Sequence, residues 1–257
     1  MCPITYAKLN SNASAMRMHP NSSGKNWSRI GVIGGLGALA SAHFLKLLVG
    51  ICSQRYQAVQ DSEYPYILLI SLNSKGLDNE GAVDETILIP DMKQAFDLFK
   101  KQGVDVVAIP CNTVHAYLDC FPKNTHMKLV NLPQEIATSV SRLQVKEAEI
   151  LCCRGLKNTR AYDSYFLAKG IRLHYPSKSV QDLVDELIVK VITGNHSTQT
   201  GTDLLDEVNS LRLQREAVVL ACSELSVLVD SRTLPANVID SMCILAESTL
   251  KLASRDH

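Results

Sequence analysis

The chain has 257 residues, with 26 Lys plus Arg against 26 Asp plus Glu, a formal net charge of zero, and 46% apolar residues. Zero net charge excludes the electrostatic footprint of a nucleic-acid or anionic-membrane binder, and no apolar run reaches the ~18–20 residues of a spanning helix. The length suits one large domain or two small ones, and a chain of this size buries roughly 70–75% of the surface its unfolded form exposes.

Residues 1–28 read as a disordered N-terminal tail: Ser, Asn and Met without periodicity, and no acid beside Lys8, Arg17 and Lys25. An acid-free, Ser-rich leader weakly resembles an organelle transit peptide, but no amphipathic Arg-rich helix accompanies it. Regular patterning starts at Arg29–Ile33, a short apolar strand that runs into Gly34-Gly35-Leu36-Gly37. A helical pattern, Ala38–Ala58, keeps one wet side through Lys46 and Arg55. Pro65–Leu72 is a continuous apolar run, which suits a strand covered on both faces. Residues 73–84 are polar and Gly-containing, hence a loop, and a helix from Asp84 or Thr86 passes Pro90 to Gln102, with Gly103 as its stop. Val104–Ile109 is a strand, Pro110-Cys111-Asn112-Thr113 a turn into a short helix ending near Cys120, and Met127–Leu132 a further strand.

The second half repeats the rhythm. A helix over Pro133–Leu143, a strand over Ala148–Cys153, a helix over Asn158–Lys169 and a short strand over Ile171–Leu173 come first. Helices over Ser179–Ile192 and Asp203–Leu213 precede the strand Ala217–Ala221, which runs into Cys222-Ser223-Glu224-Leu225. A strand over Pro235–Ile239 and a helix over Ser241–Leu252 close the chain. Apolar strands alternating with helices define an α/β fold with parallel sheets, in which chemistry sits at the C-terminal strand ends.

Eight cysteines are present. With no secretory signal ahead of them, they are expected as free thiols in a reducing compartment, read as the cytoplasm. Their spacing lacks the paired Cys-x(2–4)-Cys of a zinc site. Two of them occupy matching places. Val106-Val107-Ala108-Ile109-Pro110-Cys111-Asn112-Thr113 and Ala217-Val218-Val219-Leu220-Ala221-Cys222-Ser223-Glu224 each run buried strand, turn residue, cysteine, then small polar residues opening a helix. A helix N-terminus carries roughly +0.5 of an elementary charge. That favours thiolate and is expected to bring each cysteine from about 8.5 towards neutrality, where a catalytic acid or base works best. Two such turns meeting across a cleft would put a sulfur on each face of a bound substrate: one thiolate removes a proton and the opposed thiol returns one, which inverts the carbon.

Gly35-Leu36-Gly37-Ala38-Leu39-Ala40 also fits the dinucleotide fingerprint G-x-G-x-x-A, but that reading needs an acid after the second strand, and Leu72-Asn73-Ser74 supplies none. His115, one turn after Cys111, is either a tuning group or a satisfied helix-face histidine. Glu224 is expected to brace its turn through backbone bonds. Cys120, Cys152 and Cys243 read as inert core thiols.

Four motifs in order also resemble the aspartate/glutamate racemase family. Ile33-Gly34-Gly35-Leu36-Gly37-Ala38-Leu39-Ala40 is similar to its N-terminal Gly-Gly-Met-Gly-Pro-x-Ala loop, and Pro110-Cys111-Asn112-Thr113-Val114-His115 to its Cys-Asn-Thr-x-His. Cys152-Cys153-Arg154-Gly155-Leu156-Lys157-Asn158-Thr159-Arg160-Ala161-Tyr162 resembles Ala-Thr-x-Gly-Thr-x-x-Ser-x-x-Tyr, and Ala221-Cys222-Ser223-Glu224-Leu225 resembles Gly-Cys-Thr-Glu-Leu. The resemblance implies two pseudo-symmetric parallel-sheet α/β domains, residues 29–132 plus 240–257 and residues 133–239, with the site in the cleft between them. It implies an amino-acid racemase that uses neither pyridoxal phosphate nor metal, commonly as a homodimer. Cys111 and Cys222 would be its acid–base pair, and Gly35, Asn73, Asn112, Thr113, Thr159, Ser223 and Glu224 its substrate-binding residues. Two departures stand out. Cys153 and Leu156 replace threonines, and Asn79 of Leu77-Asp78-Asn79-Glu80 stands where the family's Pro-Asp-Arg-Thr has the arginine that grips a distal carboxylate; Lys75 offers only a point charge nearby. A non-catalytic carboxylate-binding relative, and a same-fold isomerase or decarboxylase, are the alternative readings.

Overall fold

The computed structural model describes residues 26–122 and 126–255. Most of the expected tail lies outside them; at its end Trp27 bridges Ser254 and sets its ring edge-on to Tyr56, 4.9 Å between centroids.

Two four-stranded parallel sheets form the frame. The first is ordered β2-β1-β3-β4 and the second β6-β5-β7-β8, the same 2-1-3-4 order twice. The first contains β1 (Ile30–Gly34), β2 (Ile67–Ser71), β3 (Val106–Ala108) and β4 (Lys128–Leu129); the second contains β5 (Glu147–Leu151), β6 (Arg172–His174), β7 (Ala217–Leu220) and β8 (Val238–Asp240). β1 and β7 are buried along their whole length, as continuous apolar runs between helical layers must be. The α/β class with two parallel sheets is thus as read from the sequence. In this order the direction in which strands are added reverses between β1 and β3, and again between β5 and β7. Each reversal opens a crevice beyond the strand C-termini.

The helices that matter for the crevices are α1 (Ala38–Arg55), α2 (Glu85–Lys101), α3 (Leu132–Ser141), α4 (Arg154–Thr159), α5 (Asp163–Leu167), α6 (Lys178–Ile192), α7 (Thr198–Arg212), α8 (Ser223–Val227) and α9 (Ser241–Ala253). α1 buries Ala40, Phe44, Leu48 and Ile51, one stripe at helical spacing, and packs on α9. α9 also packs on α3 and β3. Its start is held by Asp240, whose carboxylate accepts from the Met242 amide and from Ser226 and Ser231. No helix among the described residues is long and apolar enough to cross a membrane.

Two expectations need correction. The helix read over Asn158–Lys169 is two short ones, because Arg160 takes a left-handed backbone, φ 53°, and ends α4. α7 starts before Asp203: Ser197 and Thr200 form a capping box that lets a Thr- and Gly-containing turn become helix. The short helix expected after Cys111 is present as a tight 3-10 segment, Thr113–Cys120, kinked at Tyr117.

Candidate active site

The two crevices open onto one cavity of about 280 Å³. From the first sheet it receives the loop after β1, the loop after β2 and the turn after β3. From the second it receives Cys153 after β5, the turn after β7 and the last turn of α6. Cys111 and Cys222 both line it, 5% and 6% exposed, from the topologically equivalent strands β3 and β7.

The Glu224 carboxylate links the polar groups on one side. Its Oε2 accepts from the Cys222 thiol at 3.1 Å and from the Ser223 hydroxyl at 3.0 Å. It also packs against the loop after β1: a Cβ on Gly37 would lie 2.2 Å from Glu224 Oε1, so only glycine, here at φ 97°, fits. On the other side Asn112 is held at both ends of its amide. It accepts from the Tyr162 hydroxyl at 2.8 Å and donates to Ser241 Oγ at 3.0 Å. Thr113 Oγ1 lies 3.2 Å from Cys153 Sγ. His115, buried behind the turn, holds the Ile109 carbonyl through Nε2 at 3.1 Å and so braces the strand end that carries Cys111. Burial lowers its pKa to about 4, which keeps the ring neutral.

The thiols do not sit where the helix-terminus argument places them. Burial first, and the Glu224 carboxylate second, push Cys111 from 9.0 up to about 12; the same two causes push Cys222 well up. Amides do reach the sulfurs and act in the expected direction, those of Val114 and Thr113 on Cys111 and that of Glu224 on Cys222. They are outweighed because the following segments are a 3-10 turn and a five-residue helix, while the sulfurs are desolvated beside a carboxylate.

The model of the Asp/Glu/hydantoin racemase family matches residues 33–249, spanning every one of these elements. The chain belongs to this family. By family it is an amino-acid racemase, an isomerase. It is similar to the broad specificity amino-acid racemase RacX of Bacillus subtilis (strain 168), 23% identical over 225 residues that cover 86% of this chain and 96% of that protein. Among solved structures it resembles the Picrophilus torridus aspartate racemase, TM-score 0.74 at 22% identity, over 87% of this chain and 94% of that one. An aspartate racemase homologue from Pyrococcus horikoshii OT3 follows, TM-score 0.70 at 19% identity, over 88% and 98% of the two chains.

Of the residues singled out for this racemase-family site, Gly35, Cys111, Asn112, Thr113, Cys222, Ser223 and Glu224 line the cavity together. Asn73 does not; it lines a separate recess with Asp91 and Gln94, and its neighbour Ser74 faces the cavity instead. Thr159 is also elsewhere, its hydroxyl donating to the Leu156 carbonyl at 2.8 Å and accepting from the Ala161 amide. Glu224 holds the Cys222 and Ser223 side chains, where backbone bracing was expected. Asn79 reaches the cavity and Lys75 does not.

Sequence reasoning assigned no site role to Tyr162, Cys153 or the α6 wall. Tyr162 entered only as the last residue of the third motif, and its contact to Asn112 spans fifty positions. Cys153 registered only as a missing threonine. Ile188, Val191 and Ile192 carry no signal beyond the ordinary apolar face of α6. The loop after β2 is itself docked by glycines: Gly155 N donates to the Glu80 carbonyl at 2.9 Å, and a Cβ on Gly155 would stand 1.8 Å from the Gly81 carbonyl oxygen.

Proposed function

We propose that the protein inverts the α-carbon of an amino acid by proton transfer between Cys222 and Cys111. The observation that supports it is one cavity with a thiol from each of two equivalent strand ends, and a carboxylate already hydrogen-bonded to one of them. Both thiols are protonated in the free protein, so one must first be ionised. Glu224 Oε2 is placed to take the Cys222 proton, and the substrate's ammonium group supplies the positive charge that makes a thiolate beside it tolerable. The Cys222 thiolate then removes the α-proton from one face, and the C–H electron pair moves into the carboxylate as an enolate. Amide donors at the turns after β3 and β7 favour that developing charge. Cys111 gives its proton to the opposite face. Cys222 ends as thiol and Cys111 as thiolate, the state from which the reverse inversion starts.

The test is incubation of the purified protein with single enantiomers of the common amino acids in deuterium oxide. Inversion with one α-deuteron incorporated per turnover is the expected result, lost in the double variant Cys111→Ala/Cys222→Ala. Neither inversion nor exchange with any of them would refute the reading.

A further inference from the structure

Accepting that racemase reading, we infer that the substrate carries an aliphatic side chain that does not end in a carboxylate. The apolar part of the cavity lining decides this. It is built from Leu36 just before α1, Leu39 in its first turn, Leu77 after β2, and Ile188, Val191 and Ile192 near the end of α6. Leu39 and Ile192, each 40% exposed, stand at its rim, so the apolar surface continues out to solvent. A wall of branched aliphatic carbon rewards a methylene chain, because removing apolar surface from water is favourable.

A second carboxylate would meet no cation there. Among the described residues, no Lys, Arg or His lines the cavity, and its charged side chains are Asp78 and Glu224, both acids. Asp78 is not a vacant partner either: its Oδ1 accepts from the Glu80 and Ala82 amides, which folds the loop after β2. Lys75 is exposed and outside the lining. Arg154, a basic residue close by in sequence to Cys153, is spent on Asp182 at 2.7 Å and Asp185 at 2.5 Å. The same wall is the C-terminal end of α6, a fifteen-residue helix whose carbonyl end carries partial negative charge. Acid side chains, helix end and apolar carbon all act against an anionic side chain, and none acts for it.

Methionine, glutamine and glutamate have side chains of similar length, so their comparison separates charge from size. With the full-length protein, kcat/KM for L-methionine is expected to exceed that for L-glutamate and L-aspartate at least tenfold, with L-glutamine between; lysine, which meets no like charge, should also exceed glutamate. Asn79→Arg places a guanidinium on the cavity and should move the methionine-to-glutamate ratio at least tenfold towards glutamate, whereas Asn79→Gln should not. Thermal stabilisation by each amino acid, measured on the double Cys→Ala protein, asks the same question of binding alone. If methionine stabilises it and glutamate does not, the inference stands even where turnover fails and the racemase reading falls. Glutamate or aspartate matching methionine in turnover or in stabilisation would overturn it.

Discussion

Thiol reactivity gives the sharpest check on the electrostatics of the site. At about pH 7.5 a thiol at 9.0 is about 3% ionised, whereas Cys111 at about 12 is ionised to roughly 3 parts in 100,000, a thousandfold less. Only the thiolate is alkylated at a useful rate. Burial of the sulfur also slows the reagent, but it slows it equally at every pH. The discriminating quantity is therefore the pH profile. The iodoacetamide rate at Cys111, followed by mass spectrometry, should keep rising tenfold per pH unit beyond pH 10, with no plateau near neutrality. Cys120, exposed where a core thiol was expected, supplies the internal reference in each sample. Glu224→Gln removes the second of the two causes and leaves the first, burial, in place. It should speed alkylation of Cys111 several-fold while leaving it far behind Cys120. A plateau near pH 7 at either Cys111 or Cys222, or no response to Glu224→Gln, would refute this reasoning and restore the helix-terminus picture.

Other expectations follow from single contacts. Tyr162→Phe strips the buried Asn112 amide oxygen of its donor at 2.8 Å and should cost about 1–3 kcal/mol in chemical denaturation, with slower inversion because the Cys111 turn loosens. Gly155→Ala drives a methyl into the Gly81 carbonyl, so the loop carrying Asn79 must lift. The expected result is a destabilisation of about 1–3 kcal/mol, a raised KM, and new proteolytic cleavage within residues 77–83. His115 holds a folded pKa of about 4 against 6.5 unfolded, so the unfolded chain binds its proton more readily. Its contribution is full above pH 6.5 and is lost as pH falls to about 4. Replacing it by Gln should flatten that acid limb by roughly 3 kcal/mol. Cys111 has the opposite sign: a folded value above the unfolded one favours the native state below pH 9.0, and that contribution disappears as pH rises towards 12.

The sheets were legible because their strands are continuous apolar runs bounded by glycine and proline, and because the cysteine turns repeat after β3 and β7. What periodicity could not show was long-range closure. The wall from α6, the Tyr162–Asn112 bond and the Gly81–Gly155 contact each join segments far apart in sequence, and none changes local patterning. Helix boundaries failed where backbone detail wins over composition, at left-handed Arg160 and at the Ser197 capping box. The thiol pKa failed for a different reason. A strand–Cys–helix pattern shows the amide donors, but it does not reveal how deeply the sulfur is buried or that Glu224 turns back onto it. The loop after β2 likewise brings Ser74 rather than Asn73 to the cavity, which its composition does not reveal.

The central claim, one base on each face, is tested most directly by the two single variants in deuterium oxide. Cys111→Ala should exchange the α-proton of one enantiomer only, Cys222→Ala that of the other only, and neither should invert. Exchange of the same enantiomer by both variants, or inversion surviving in either, would contradict the account.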